Sequence, residues 1–199
     1  MTTGDYNVAI GFQAADGMTG AANNNIAIGN HALGGPTGAT SSNIALGNGA
    51  LAAQNTAASI NLAIGDSAGI VITSGTRNVL IGHQAGATFV DDDNNTAVGY
   101  NALKLSTGSE NTAVGSYAAA QVDAGKYNTA LGYGALYEAD NAEEANTAVG
   151  YGALYALDVD DGDHNTALGF NAGHFLSNGS TPVTDVRFCT YIGSNTRAS

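Results

Sequence analysis

Acidic residues gather in short clusters, and clustered carboxylates are the side chains in this sequence best suited to hold a metal ion. Ca²⁺ takes oxygen ligands from the carboxylates and carbonyls of a single loop. The stretch before His164 misses EF-hand spacing, because Gly162 stands where the third ligand belongs. We therefore expect solvated loops and no required cofactor, with calcium binding as the weaker alternative. The calcium candidates are Asp158, Asp160, Asp161 and Asp163.

Aromatic side chains recur at regular intervals, and an exposed row of such rings suits a sugar ligand. A tyrosine offers a flat apolar surface together with a hydroxyl group, which fits a weak, multivalent glycan contact. The alternative is that the rings pack over glycine turns and seal the edges of the fold. The predicted glycan contacts are Tyr100, Tyr133, Tyr137, Tyr151, Tyr155 and Phe170.

Spacing identifies no catalytic centre. The four histidines lack metal-ligand spacing, and Cys189 is the lone cysteine. No Ser-His-Asp set, paired-carboxylate pocket or phosphate-binding loop can be defined from the motifs. We expect a protein that is not an enzyme.

Charge and hydropathy exclude two classes of partner. The 199-residue chain carries 17 acidic and 5 basic residues, a net charge of −12, which opposes binding to nucleic acid and to anionic membranes. No stretch approaches the length of a membrane span.

One phrase, Asn-x-Ala-aliphatic-Gly, recurs through the chain and must position all of these side chains. Ten copies begin at asparagines from Asn7 to Asn165, and a degenerate copy begins at Cys189. Starts lie 16 to 19 residues apart, except for a final gap of 24. Such a period is typical of stacked supersecondary units. We number positions from the leading asparagine, which is position zero.

The phrase predicts a short strand followed by a turn. Positions one and three are aliphatic or threonine and share one strand face, which we expect to be buried. The predicted core residues at position three are Ile10, Ile28, Leu46, Ile64, Ile81, Val98, Val114, Leu131, Val149 and Leu168. The predicted turn residues at position four are Gly11, Gly29, Gly47, Gly65, Gly82, Gly99, Gly115, Gly132, Gly150 and Gly169.

The opposite face carries a single methyl group in nearly every copy. Position two is alanine in nine of eleven copies, which indicates that another surface approaches closely there. We expect that surface to be a second copy of the chain, most simply in a homotrimer. The predicted subunit interface is Ala27, Ala45, Ala63, Ala97, Ala113, Ala130, Ala148 and Ala167.

The expected fold is an all-β solenoid of about eleven coils with two short parallel strands in each. At about 4.8 Å per coil it would form a rod of roughly 50 Å. We divide the chain into a repeat domain, residues 1–173, and a degenerate last coil with a C-terminal cap, residues 174–199. The leading asparagines either form turns only or bond to one another as a ladder between coils.

Copies such as NTAVGYNAL and NTALGYGAL resemble the head repeats of trimeric autotransporter adhesins (YadA-like heads) and the NTAxGxxAL repeats of phage tail fibres. The resemblance covers residues 7 to about 173. It implies a left-handed parallel β-roll, three chains around one axis, and an adhesive or receptor-binding role toward a host-surface glycan or protein. The absence of stalk heptads and of a membrane anchor favours a virion tail fibre.

Two other roles stay open at the level of sequence. One is a bacterial cell-surface adhesin head or a self-assembling extracellular filament. The other is ice binding by the threonines at position one, from Thr96 to Thr190. Because these threonines share parity with position three, we expect them to point inward, which opposes ice binding.

Overall fold

The computed structural model describes residues 4–19, 21–35, 40–54, 59–139, 143–157, 162–174 and 187–196, and these residues form strands and turns without a helix. No described segment is therefore a helix that could cross a membrane. The strands are β1 (Val8–Ile10), β2 (Ile26–Ile28), β3 (Ile44–Leu46), β4 (Leu62–Ile64), β5 (Val79–Ile81), β6 (Thr96–Val98), β7 (Thr112–Val114), β8 (Gln121–Val122), β9 (Thr129–Leu131), β10 (Glu138–Ala139), β11 (Thr147–Val149), β12 (Thr166–Leu168) and β13 (Thr190–Ile192).

Eleven of these strands form one parallel sheet, with one three-residue strand from each copy of the phrase. In the register of this sheet, equivalent positions of successive repeats lie side by side: Ala27 lies beside Ala45, and Thr147 lies beside Thr166. This is a parallel β-solenoid, and we call each repeat of it a rung. The expected second sheet is wrong as a general feature, because among the described residues it is reduced to β8 and β10. The segment after each glycine is mostly turn.

The leading asparagines form a ladder along the stack, which confirms the second of the two interpretations. Each side-chain Oδ1 accepts the backbone N–H of position zero in the next rung, for example Asn43 to Asn25 at 2.9 Å and Asn146 to Asn128 at 2.9 Å. The Nδ2 group of Asn128 donates to the carbonyl of Glu143 at 2.8 Å. The ladder continues to Cys189, whose N–H donates to Asn165 Oδ1 at 3.0 Å. These bonds satisfy buried polar groups at every rung.

The glycine at position four must be glycine for two reasons. Its φ lies between 114° and 141° in all eleven copies, a region that side chains strongly disfavour. A Cβ added at Gly132 would also overlap the carbonyl oxygen of Gly150 in the next rung. Stacking at the rung spacing therefore depends on the missing side chain.

The burial of the two strand faces is the reverse of the sequence expectation. The alanines at position two, from Ala27 to Ala167, are fully buried inside their own chain. They cannot contact a second copy, so their assignment to the subunit interface is wrong. The aliphatic residues at position three point outward; Leu131 is 47% and Leu168 49% exposed. Their assignment to the core is wrong for the single chain.

The interior explains why alanine is required. Buried leucines at position eight, such as Leu51, Leu103 and Leu136, fill the space from the other side of the rung. Around the larger Leu80 at position two, position eight is glycine both in the same rung (Gly86) and in the rung before it (Gly69), and a Cβ added at either glycine would come within 2.8 Å of Leu80. The two positions therefore share one small volume across the solenoid.

The last rung closes the interior with a large ring. Tyr191 replaces alanine at position two and is 7% exposed. A Cβ added at Gly173 would lie 2.8 Å from its ring. Burial raises the pKa of this tyrosine well above its usual range. Tyr191 lies in the segment 174–199, for which the sequence predicts a degenerate last coil and a cap; residues 175–186 and 197–199 of that segment lie outside the described residues.

Candidate binding faces

The outward side of the eleven-stranded sheet is an uncovered surface rich in apolar side chains. We call it the outer face; it consists of the side chains at positions one and three. Position three is half-buried or exposed in every rung, and at the first rung Ile10 is 58% exposed. A contiguous exposed aliphatic strip of this length indicates a contact surface.

The outer face changes composition halfway along the rod. Position one is aliphatic from Val8 to Val79 and threonine from Thr96 onward. The expected inward orientation of these threonines is wrong. Thr112, Thr129, Thr166 and Thr190 are exposed, and Thr96 and Thr147 are half-buried. Half of the rod therefore presents a row of threonines beside a row of Val, Leu and Ile.

A second row follows position five, just after the glycine turn; it begins with Phe12 and is then polar through its first half. Asn30 Nδ2 donates to Asn48 Oδ1 at 3.0 Å, and Asn48 Nδ2 donates to Asp66 Oδ1 at 2.7 Å. His83 Nδ1 lies 3.1 Å from Asp66 Oδ2. The bond from Asn48, aided by Ser67 and His83, lowers the pKa of Asp66, so this carboxylate is charged in the neutral range.

The same row becomes aromatic in its second half. His83 stacks on Tyr100 with ring centroids 5.3 Å apart. Tyr133 and Tyr151 stack at 5.2 Å and 11°, and Tyr151 and Phe170 stack at 5.3 Å and 14°. These rings thus lie face to face along the rod, and their edges and hydroxyl groups face the solvent.

A third row, at position nine, runs beside the aromatic one. Tyr137 stacks on Tyr155 at 4.9 Å, and Tyr155 stacks on His174 at 5.3 Å. Tyr117 joins the two rows with edge contacts to Tyr133 and Tyr137. Desolvation, followed by the neighbouring phenols, raises the pKa of Tyr117.

A glycine at position six makes room for one of these rings. A Cβ added at Gly134 would lie 3.1 Å from the ring of Tyr155. Because Tyr151 is stacked between Tyr133 and Phe170, a sugar cannot stack on either face of Tyr151 while the row stays intact. Glycan binding by face stacking is therefore restricted to rings with a face that no neighbouring ring stacks on, and a contact elsewhere would use ring edges and hydroxyls.

A fourth row, at position minus one, lies at the opposite border of the outer face and was not predicted from the sequence. Its residues are left-handed, as at Ser42 (φ 60°) and Tyr127 (φ 61°), and all are exposed except the half-buried Ala145. Arg77 Nε donates to Asn94 Oδ1 at 2.7 Å, and His164 stacks on Phe188 at 5.0 Å. The sequence could have identified this row, because each of its residues directly precedes the leading residue of a repeat.

In the described residues, carboxylates of the acidic clusters accept hydrogen bonds from connector residues of the neighbouring rung. Asp93 Oδ1 accepts from the N–H and the hydroxyl of Thr76, at 2.6 and 2.8 Å. Asp163 Oδ1 accepts the N–H of Glu144 at 2.7 Å. The calcium candidates Asp158, Asp160 and Asp161 lie outside the described residues. Within the described ranges, no group of three potential ligands could hold a metal ion.

Comparison with known proteins gives no relative. No protein-family model, no curated protein and no solved structure matches this chain. The outer face and its bordering rows are therefore interpreted from their own chemistry.

Proposed function

We propose that this chain is a structural and adhesive fibre segment that works as a homotrimer. Its rods pack side by side through the outer face, as a left-handed β-roll of about eleven coils. The connectors, where most of the acids lie, are then displayed outward to a host-surface glycan or protein. A virion tail fibre or receptor-binding protein is the setting that fits best. A bacterial adhesin head or an extracellular filament is the alternative within this class.

The observation that supports the proposal is the uncovered outer face. Its aliphatic row spans all eleven strands, and each chain presents the same row at the same spacing. Burying it between identical copies gives a closed assembly without a second kind of subunit. Sixteen of the 17 acids lie outside the nine-residue motifs, so copies can approach without facing each other's charge.

The mass of the protein in solution tests the assembly. Light scattering should give three times the chain mass of 19.8 kDa. The change Leu131→Asp places a charge on the outer face and should give monomers that keep the β circular dichroism of the parent chain. Asp123→Ala, an exposed connector change, is the matched control and should stay trimeric. A monomeric parent chain would refute the proposal.

Adhesion requires a separate measurement. Immobilised bacterial surface polysaccharides and outer-membrane proteins serve as probes, and the trimer should bind at least one class. The Leu131→Asp monomer should bind the same probe about 10²-fold more weakly, because avidity is lost. Equal binding by both forms would show that assembly has no part in recognition.

Ice binding is a second candidate, because the threonine row points outward rather than inward. A flat array of Thr and Val repeated at the rung spacing of about 4.8 Å offers ordered water a regular surface. Growth of single ice crystals in the protein solution tests it. Arrest by the parent chain, lost with Thr129→Tyr, would favour this function. Unimpeded growth excludes it, and so does burial of the same face in a trimer.

A further inference from the structure

The two border rows of the outer face give the contacts between neighbouring copies, if the proposed homo-oligomer is correct. A rotation axis parallel to the rod keeps every rung at one height, so equal rungs of adjacent copies meet. The same rotation brings one border of the face against the opposite border of the next copy. These borders are the rows at position minus one and position five.

We propose that each seam joins the position-minus-one row of one chain to the position-five row of the next, rung against equal rung. The partner is a second copy of this chain, parallel and in register. An antiparallel pair would instead set each row against itself, with opposite ends of the rod meeting. The two arrangements therefore place different residues in contact.

The chemistry of the rows agrees with this arrangement in five rungs. Residues at equal height share character in the first three rungs, the eighth and the tenth, and all of them are exposed in the single chain. Aromatic residues meet aromatic residues or histidine, and small polar residues meet small polar residues. The matched pairs are Tyr6 with Phe12, Asn24 with Asn30, Ser42 with Asn48, Tyr127 with Tyr133, and His164 with Phe170.

Two oppositely charged residues of the two rows would also meet across the seam, in rungs that are adjacent rather than equal. Arg77, at position minus one, would lie about 4.8 Å along the axis from the neighbour's Asp66, at position five. Both side chains are exposed in the single chain. Only Asp66 and Glu110, of 17 acids, belong to the outer face and its borders. Few of the acidic residues therefore lie in the two rows themselves.

Engineered disulfides test the contact directly. The variant Ser42→Cys/Asn48→Cys, made with Cys189→Ser, places one thiol in each row of the third rung. Within one chain these residues are separated by six residues of nearly extended backbone, on the order of 15–20 Å. A disulfide needs Cα atoms within about 7 Å, so the bond can form only between chains. Oxidation should yield a covalent ring of three chains on a non-reducing gel.

The register control uses the same two rows at different heights. Ser42→Cys/Ser116→Cys, also with Cys189→Ser, puts the thiols four rungs apart, about 19 Å along the rod. It should give at least tenfold less crosslinked product. Equal crosslinking of both pairs would indicate random collision and overturn the inference.

Two further outcomes separate this inference from the proposed function. A chain that is trimeric by light scattering but uncrosslinked in the equal-rung variant overturns the seam and leaves the trimer standing. A monomeric chain overturns both. Circular dichroism verifies folding of each variant. Should the first pair misfold, Glu110→Cys/Ser116→Cys places the same test in the seventh rung.

Discussion

The asparagine at position zero combines two tasks that sequence alone could not separate. Its type predicts a bend, since asparagine bonds readily to nearby backbone. Most of its bonds in the structure go instead to residues 14 to 24 positions away, in the neighbouring rung. A local pattern reveals the turn, whereas the ladder exists only once the rungs are in register.

Removing one of these amides should lower stability much more than removing a similar amide from the surface. Asn128→Ala would leave the N–H of Asn146 and the carbonyl of Glu143 without their bonds of 2.9 and 2.8 Å. We expect the free energy of unfolding to fall by about 2–4 kcal/mol, from two buried unpaired groups. Urea denaturation followed by circular dichroism measures it.

Asn30→Ala is the control for this change. Its exposed amide donates to Asn48 Oδ1 at 3.0 Å in the position-five row. The loss should stay below about 1 kcal/mol, because water replaces the bond. If both variants unfold at the same urea concentration, the buried ladder contributes no more than the surface one.

At the scale of the rung, the period-two pattern correctly separated the strand into two faces but assigned them the wrong way round. Hydrophobicity favours Leu131 inside and Ala130 outside, yet a rung of about seventeen residues encloses too little space for a large side chain on both walls. The leucine at position eight takes that space. Only the glycines that accompany Leu80 and Tyr191 reveal this in the sequence.

The shared interior volume predicts a compensating pair of substitutions. Ala130→Leu should destabilise the fold by about 1–3 kcal/mol or more, through overpacking against Leu136. Adding Leu136→Gly copies the arrangement around Leu80 and should recover part of the loss. A double-mutant cycle from urea denaturation should give a coupling of at least about 1 kcal/mol. Strict additivity would mean that these two side chains do not meet.

At the scale of the whole rod, the repeat predicted the parallel stacking and the glycine turns. It could not predict the rows at position minus one and position five as borders of one surface. The reason is geometric: which residues border the outer face depends on which way the strand faces. Because position three points outward and position two inward, the exposed aliphatic row and its two borders form the surface that a partner would bury.

The charge of the whole chain predicts how the assembly responds to salt. Each copy carries a net charge of −12, mostly in connectors, so copies repel one another while the apolar outer faces attract. Salt screens the repulsion over a Debye length of about 10 Å at 0.1 M. The trimer should therefore dissociate more readily near 20 mM NaCl than near 500 mM, by on the order of tenfold in the dissociation constant. Sedimentation equilibrium at both salt concentrations measures this, and tighter association at low salt would instead show that ion pairs such as Arg77 with Asp66 hold the copies together.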